Sequence, residues 1–247
     1  MSLKTSLPKS TTDVLAHVTK LTDTCLIPVS RGKDSVACLL IVREYFKTVV
    51  PYYTVNIPTK VIPRHENEYL TYLENKLDIK IRLFLNGDVG GSFIGGFVFQ
   101  PWQDVDEIYG LEDMKYYKYF GPTKYIREEL DCSDAWGCSG IKGCDNGLMR
   151  RMFTKRGIGI REEDTSFYPL WDWTHKQVFE FMQKQGVALP SDYLCYDKTI
   201  MGVPTAPQLE WLKENMTDDF EKVKIVYPLI EAQLARNEFR KQHQARR

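Results

Sequence analysis

The sequence has no excess of charge of either sign, few cysteines and no long apolar run. Its 33 basic residues balance 33 acidic ones, which does not favour indiscriminate binding to nucleic acid or anionic membranes. Six cysteines in 247 residues are too few for a secreted disulfide framework, so we expect free thiols. No stretch approaches the roughly 20 apolar residues that cross a bilayer, and residues 1–12 do not resemble a signal peptide. We therefore expect a cytoplasmic protein with no membrane partner.

Apolar patterns in the first third of the chain alternate between strand and helix. Residues 24–30 form an apolar run that predicts a buried strand, and the stretch 36–46 predicts a helix that is apolar around most of its circumference. Residues 52–57 and 79–85 predict two further strands, with an amphipathic helix at 65–77 between them. Because strands that alternate with helices form βαβ units, we predict an α/β fold with a parallel sheet.

The rest of the chain is divided into an insertion, the end of this domain and a helical extension. Residues 86–156 are rich in glycine, aromatic and acidic side chains, and we interpret them as an irregular insertion whose loops cover a site. Residues 158–161 are a candidate strand end. No internal repeat or Ser/Gly linker marks a second domain, so we assign residues 1–200 to one α/β domain and residues 201–247 to a C-terminal helical extension with a basic tail.

Two capping boxes predict where later helices begin. Thr174 with Gln177 predicts the start of a helix that runs to Gly186, and Thr205 with Gln208 predicts the start of another.

The turn between the first strand and the first helix carries groups that bind phosphate. Gly32 lets the backbone approach an anion, and the first amides of the helix point towards it. Ser30, Lys33 and Ser35 add hydroxyl and ammonium donors, and Asp34 can orient them or hold a magnesium ion. An open α/β sheet places its ligand at the carboxyl ends of its strands, where this turn lies.

This turn closely resembles the PP-loop of the ATP pyrophosphatase superfamily, Ser-Gly-Gly-Xaa-Asp-Ser. It differs from Walker A and GxGxxG patterns. The departure from the family is Arg31 at a position usually occupied by glycine. An arginine there can contact phosphate or narrow the choice of nucleotide. The alternative is a surface turn whose charges are solvated.

Two later segments resemble the PAPS reductase-like branch of the superfamily, which includes FAD synthetases and sulfur-modification enzymes. Residues 159–166 are similar to its Gly-Val-Arg-Xaa-Xaa-Glu-Ser segment, and residues 168–193 to its Pro-Ile-Xaa-Asp-Trp-Thr, Val-Trp and Pro-Xaa-Xaa-Tyr block. The resemblance implies a Rossmann-like parallel sheet flanked by helices. It also implies that Arg161 faces the nucleotide or its leaving phosphates and that Asn56 contacts adenine or ribose. A surface ion pair with Glu162 or Glu163 is the alternative for Arg161.

The cysteines leave a metal site and a redox role open. Cys132, Cys138 and Cys144 recur with five residues between neighbours, a spacing that can surround an iron–sulfur cluster or zinc, although the usual CxxC spacing is absent. Ordinary thiols are the favoured interpretation. The C-terminal Glu-Cys-Gly-Leu-His type motif of PAPS reductases is missing, so a reductase would use Cys195 or a cysteine of the middle segment.

We predict an enzyme that uses ATP and magnesium to adenylate a substrate and releases pyrophosphate. Lys33, Asp34 and Arg161 are the predicted catalytic residues. The alternatives are a PAPS or APS reductase and a non-catalytic nucleotide-sensing module. The expected partners are an adenine nucleotide and an acceptor. Basic patches at 150–161 and 236–247 leave a nucleic acid open, although a solvated surface explains them too, and a homodimer is also left open.

Overall fold

The structure is a computed structural model that describes residues 7–55, 64–85, 121–191, 193, 206–226 and 229–244. Its strands are β1 (Thr24–Pro28), β2 (Thr48–Val55), β3 (Arg82–Leu85), β4 (Trp136–Cys138), β5 (Ile160–Arg161) and β6 (Ser166–Phe167). Its helices are α1 (Lys9–Val18), α2 (Lys33–Val42), α3 (Arg64–Leu77), α4 (Gly121–Glu129), α5 (Gly147–Arg156), α6 (His175–Gln185), α7 (Ala206–Asn215), α8 (Thr217–Val226) and α9 (Ile230–Gln244).

The six described strands form one sheet in the order β3-β2-β1-β4-β6-β5. Every neighbouring pair is parallel except the antiparallel pair of β5 and β6. Leu26 lies opposite Val50 on one side and Gly137 on the other, so β1 occupies the interior of the sheet. The predicted α/β fold with a helical C-terminal extension is confirmed.

Burial explains why a strand and a helix form near the predicted positions, although β1 ends at Pro28 rather than at residue 30 and α2 spans Lys33–Val42 rather than 36–46. Cys25, Leu26 and Ile27 of β1 are fully buried, as expected for a strand with neighbours on both sides. Residues 35–42 of α2 are all buried, which matches a helix that is apolar around most of its circumference. The turn between β1 and α2 is therefore attached to two of the most buried elements.

The prediction that residues 86–156 are irregular is wrong for their second half. Residues 121–156 hold α4, β4 and α5, and β4 lies between β1 and β6. A strand of three residues is too short to show a period in the sequence, and sheet neighbours on both sides fix its conformation. Residues 86–120 lie outside the described residues.

The predicted strand starts are also shifted. β2 begins at Thr48 rather than at residue 52, and β3 begins at Arg82 rather than at residue 79. Pro51 does not interrupt β2 because β3 pairs with β2 only from Tyr52 onward. Pro51 thus has a neighbouring strand on its β1 side but none on its β3 side. A missing N–H is tolerated where a strand has such an unpaired edge.

The predicted capping box at the start of α6 is confirmed. Thr174 accepts from the Gln177 amide while the Gln177 side chain bonds back to the Thr174 backbone. The helix ends at Gly186, which has a φ of 61° that favours glycine. Thr205 of the second predicted box lies outside the described residues.

The C-terminal helices attach to the sheet domain through a buried carboxylate. Asp219 of α8 accepts hydrogen bonds from the Arg64 amide at 2.7 Å and the His65 amide at 3.3 Å, and its carboxylate lies 3.1 Å from the His65 ring nitrogen Nδ1. Asp219 thus satisfies the first amides of α3, which lack partners within their own helix. None of the helices in the described ranges is both long enough and apolar enough to span a membrane.

Candidate functional site

The turn after β1 is shaped by the Ser35 hydroxyl. This hydroxyl donates to the Gly32 carbonyl at 2.9 Å and accepts from the Ser30 amide and the Ser30 hydroxyl, both at 3.1 Å. Since its single proton already goes to Gly32, Ser35 chiefly closes the loop upon itself.

The amino terminus of α2 is open to an incoming anion. Gly32 is the N-cap, and no side chain caps the helix. The amides of its first turn are therefore free of a side-chain acceptor and carry the positive end of the helix dipole. The Lys33 ammonium lies close by, 3.2 Å from Asp34 Oδ2 and 5.8 Å from the centre of the Tyr193 ring. This arrangement suits phosphate or sulfate.

Lys142 is a second cation at this site, and it is fully buried. Its Nζ lies 2.8 Å from Asp34 Oδ2 and 3.0 Å from Asp145 Oδ1. Burial alone lowers the pKa of Lys142, but hydrogen bonds and attraction to the two carboxylates outweigh burial and raise the pKa above its usual value. The ammonium is therefore charged at neutral pH and fixes the Asp34 carboxylate in place.

The backbone of the segment after β4 lies against the backbone of the loop after β1. A Cβ on Gly140 would lie 2.8 Å from both the carbonyl carbon and the carbonyl oxygen of Asp34. Only glycine fits there without a shift of the loop.

These segments enclose a cavity of about 880 Å³. Its wall consists of the loop after β1, the loop after β4 and the start of α6, where His175 and Lys176 lie. Tyr193 completes the lining on the side of Lys33. The volume is in the range of small-molecule sites, and the cavity lies at the carboxyl ends of β1 and β4, where open α/β sheets bind ligands.

The structure brings together five of the predicted site residues and separates others. Ser30, Gly32, Lys33, Asp34 and Ser35 all line the cavity. The Arg31 side chain is instead fully buried, with its Nη2 3.4 Å from Glu66 Oε1. The expectation that this side chain contacts phosphate is therefore not supported, because the carboxylate of α3 draws it away from the cavity lining.

Arg161 also lies away from the cavity lining. It pairs in register with Ser166 at the start of β6, whereas the cavity lies beyond the carboxyl ends of the parallel strands. Its Nη2 lies 2.6 Å from Asp164 and its Nε 3.6 Å from Glu163. The structure thus favours the surface ion pair that the sequence left open.

The three regularly spaced cysteines do not converge on one point. Cys138 is buried on β4 beside Cys25 and Cys38, and burial together with these thiols raises its pKa. Cys132 contacts the Ile126 carbonyl at the end of α4. Among the described residues the three-thiolate site that the sequence left open is therefore not assembled, which agrees with the favoured interpretation of ordinary thiols. Asn56 and Cys195 lie outside the described residues.

Cys144 lies next to the cavity instead. Its Sγ approaches the Trp173 carbonyl at 3.3 Å, and its ligand atom and those of Asp145 and His175 lie within 4.8 Å of one another. Such a trio could hold a metal ion. The buried Lys142 ammonium on Asp145 opposes a second cation at the same carboxylate.

A magnesium ion fits Asp34 better than it fits this trio. Asp34 Oδ2 is occupied by lysines, but Oδ1 is buried and has no hydrogen-bond partner. A carboxylate oxygen without a partner, beside a site for anions, is the type of ligand that magnesium takes in phosphate complexes.

The basic residues of α5 are divided between solvent and an ion pair. Arg150, Arg151 and Lys155 are exposed, while Arg156 is paired with Glu163. The exposed three remain available for a polyanion, and a nucleic-acid partner stays a prediction.

Sequence reasoning missed Lys142, Asp145, His175 and Lys176. Lys142 and Asp145 follow a strand that was not recognised, and the signal available in the sequence was the pair Ser139-Gly140 directly after the short segment Trp136-Gly137-Cys138. His175 was placed at a helix start by the Thr174 capping box, but a helix start alone does not reveal what it faces.

Comparison with known proteins gives distant structural similarities only. No family model matches the sequence, and no curated protein matches it significantly. A phosphoadenylyl-sulfate (PAPS) reductase from Candida auris, solved as a phosphate complex, has a TM-score of 0.47 at 15% identity, over 78% of this chain and 86% of the reductase. The U34-tRNA thiolase NcsA from Methanococcus maripaludis, solved with its 4Fe-4S cluster, has a TM-score of 0.44 at 11% identity, over 89% of this chain and 78% of the thiolase. Similarity this distant indicates nothing about the reaction that this chain catalyses.

Proposed function

We propose that this chain is an enzyme that binds ATP by its phosphates and transfers the adenylyl group to an acceptor, with release of pyrophosphate. The observation that carries the proposal is the uncapped start of α2 beside Lys33, opening into a cavity of about 880 Å³. Amides at a helix terminus and an adjacent ammonium form a binding site for polyphosphate.

The polar groups around the loop have different roles in this proposal. The first amides of α2 bind phosphate oxygens, and the Ser30 hydroxyl, which donates to Ser35, helps to close the loop around them. Lys33 neutralises the charge that grows on the leaving pyrophosphate, and Lys142 keeps Asp34 oriented. Asp34 Oδ1 would hold magnesium, which supplies charge neutralisation on the phosphate oxygens when bound.

Catalysis in this scheme depends on positioning. An acceptor oxygen attacks the α-phosphorus, the bond from the α-phosphorus to the bridging oxygen breaks, and pyrophosphate leaves with the electron pair of that bond. The protein holds both ends of the reaction in line and excludes competing geometries. The proposed acceptor is a nucleobase, a small metabolite or a sulfur-transfer intermediate.

A ligand panel tests the proposal. Thermal unfolding is measured with ATP and magnesium, AMP, APS and PAPS, for the wild type, Lys33→Ala and the exposed control Lys20→Ala. A ligand at 100 times its dissociation constant adds ~2.7 kcal/mol, or roughly 5 to 11 °C for a chain of this size. We expect ATP with magnesium to stabilise the wild type and Lys20→Ala but not Lys33→Ala.

Other outcomes redirect or refute the proposal. ATP binding without pyrophosphate release across an acceptor panel would favour the nucleotide-sensing module. The absence of a shift with every ligand would refute nucleotide binding.

One observation favours a second candidate, sulfonucleotide reduction. Cys144 lies beside two residues of the cavity lining, Asp145 and His175. In that reaction a thiolate attacks the sulfate sulfur, the adenine nucleotide leaves, and an external dithiol then releases sulfite from the S-sulfocysteine. Sulfite release from PAPS or APS that Cys144→Ser abolishes would support this candidate. Release that persists in Cys144→Ser, or none at all, would reject a role for this thiol.

A further inference from the structure

We propose that Glu66 is a positioning residue that holds Arg31 in a left-handed backbone conformation and thereby shapes the phosphate-binding loop. This inference rests on the proposed function, since it assigns a role in the same nucleotide site to residues that do not line the cavity. The residues that act on the loop belong to β2 and α3, the second and third elements after it along the chain.

The backbone of Arg31 has a conformation that is rare for a residue with a side chain. Arg31 has a φ of 63°, a region that glycine enters freely and that L-residues with a Cβ seldom adopt. The loop therefore contains a backbone conformation that arginine disfavours. Such a conformation persists only where the surroundings impose it.

A buried carboxylate holds the Arg31 side chain. The Arg31 side chain is fully buried and its Nη2 lies 3.4 Å from Glu66 Oε1. The Tyr53 hydroxyl donates to the other carboxylate oxygen, Oε2, at 2.7 Å. Burial and the neighbouring carboxylate raise the pKa of Tyr53, so its hydroxyl stays protonated and remains a donor. Glu66 is thus fixed by β2 while it attracts the guanidinium.

Arg31 lies between the two residues that the Ser35 hydroxyl joins. Its neighbours are Ser30 and Gly32, and the Ser35 hydroxyl bonds to both of them. A change of φ at Arg31 would rotate one of these neighbours away from the other and open that set of bonds. The first amides of α2 would then no longer converge on one anion.

A glycine variant separates this role from a general contribution to stability. Glycine adopts a positive φ without penalty, so a loop with Arg31→Gly does not need Glu66 to keep its shape. The double variant Arg31→Gly/Glu66→Gln also removes both buried charges together, which avoids an unpaired carboxylate. If Glu66 acts through Arg31, its replacement should matter in the wild type and not in the glycine background.

The experiment uses the full chain with ATP and magnesium as the probe. Dissociation constants are measured by calorimetry for the wild type, Glu66→Gln, Arg31→Gly, Arg31→Gly/Glu66→Gln and Lys33→Ala, with Glu68→Gln as an exposed control on the same helix. Hydrogen exchange of the amides in residues 29–36 is followed in the same proteins without nucleotide. We expect Glu66→Gln to weaken ATP binding about tenfold and to speed this exchange. The double variant should bind within about threefold of the wild type, and Glu68→Gln should change neither quantity.

The two readouts separate failure of this inference from failure of the proposed function. If the wild type does not bind ATP, the proposed function fails, and the exchange data still decide whether Glu66 holds the loop. Unchanged exchange and affinity in Glu66→Gln would overturn the inference, as would a double variant as impaired as Glu66→Gln. If Glu66→Gln does not fold, Tyr53→Phe removes one hydroxyl only and should speed exchange in the same residues, and unchanged exchange there overturns it.

Discussion

The loops after β1 and β4 leave neighbouring parallel strands at the same edge of the sheet, yet they are built in different ways. The loop after β1 is closed by bonds among its own residues Ser30, Gly32 and Ser35, and the conformation of Arg31 depends on a distant residue. The loop after β4 depends on its neighbour, through the Lys142 ion pair with Asp34 and the backbone approach of Gly140. A motif that bonds to itself is visible in a sequence, whereas a segment that acts through contact with another is not.

The strongest test breaks the contact between the two loops. Gly140→Ala places a Cβ 2.8 Å from the Asp34 backbone, so the loop must move. We expect a loss of about 3 kcal/mol in the free energy of unfolding, typical of severe overpacking, and weaker nucleotide binding. Urea unfolding measures the first effect. Gly147→Ala, whose Cβ meets nothing within 4 Å, should be neutral. Equal effects of the two variants would show that close contact between the two loops at Gly140 does not matter for stability.

Removal of the buried ammonium should have the next largest effect. Lys142→Met leaves the Asp34 and Asp145 carboxylates without their shared cation. We expect a loss of about 2 kcal/mol, because both carboxylates keep some contact with water. The midpoint of chemical unfolding is the measurement, with the exposed Lys184→Met as control. A Lys142→Met protein as stable as the wild type would show that the two loops do not depend on this pair.

A carboxylate outside the cavity provides the reference for these losses. Hydrogen bonds from His65 and the first α3 amides outweigh burial and lower the pKa of Asp219 to about 2. A lowered pKa stabilises the fold above the unfolded value of about 4, and this contribution is lost as pH falls towards 2. We expect Asp219→Asn to be less stable by about 2 kcal/mol at pH 7, with the difference shrinking below pH 4. A difference that stays constant between pH 7 and pH 2.5 would argue against the capping role.

The two serines sharpen the comparison within the first loop. Ser35 makes three of the loop bonds and Ser30 contributes donors to two of them. We expect Ser35→Ala to cost about 1 kcal/mol and Ser30→Ala about half of that, because an amide still reaches Ser35 in the second variant. Parallel thermal and urea unfolding would reveal the order, and the reverse order would mean that Ser35 does not close the loop.

The smallest effect is expected at Arg161. Its ion pairs with Glu163 and Asp164 are partly exposed, and such pairs contribute about 0.5 kcal/mol. Because Arg161 does not line the cavity, Arg161→Ala should leave the affinity for ATP, measured by calorimetry, within about twofold of the wild type. A loss comparable to that of Lys33→Ala would restore the role that the family resemblance implied for Arg161.

The sequence predicts the loop after β1 well because its determinants are local. A buried strand, a glycine and a helix start lie within about a dozen residues, and the bonds among Ser30, Gly32 and Ser35 join residues five positions apart at most. The capping box at Thr174 was predicted for the same reason, since its two residues are three positions apart. Both depend on chemistry between near neighbours in the chain.

Features set by distant contacts could not be predicted in this way. Arg31 was expected to contact phosphate because arginine suits that task, but its partner Glu66 lies 35 residues away. β4 has too few residues for a periodic pattern, so the loop that carries Lys142 was left in an irregular segment. A buried lysine has no signature of its own, since only the assembled fold shows the two carboxylates beside it.

The cap on α3 bears on how far the chain can be shortened from its C-terminal end. Asp219 holds the first amides of α3, and Glu66, in the first turn of the same helix, reaches the loop through Arg31. A truncation after residue 200 would remove this cap along with α8, although it would spare every described residue of the cavity lining. The shortest chain with an intact loop therefore extends beyond Asp219, and a fragment chosen by the sheet alone would retain the binding groups without the support that orders them.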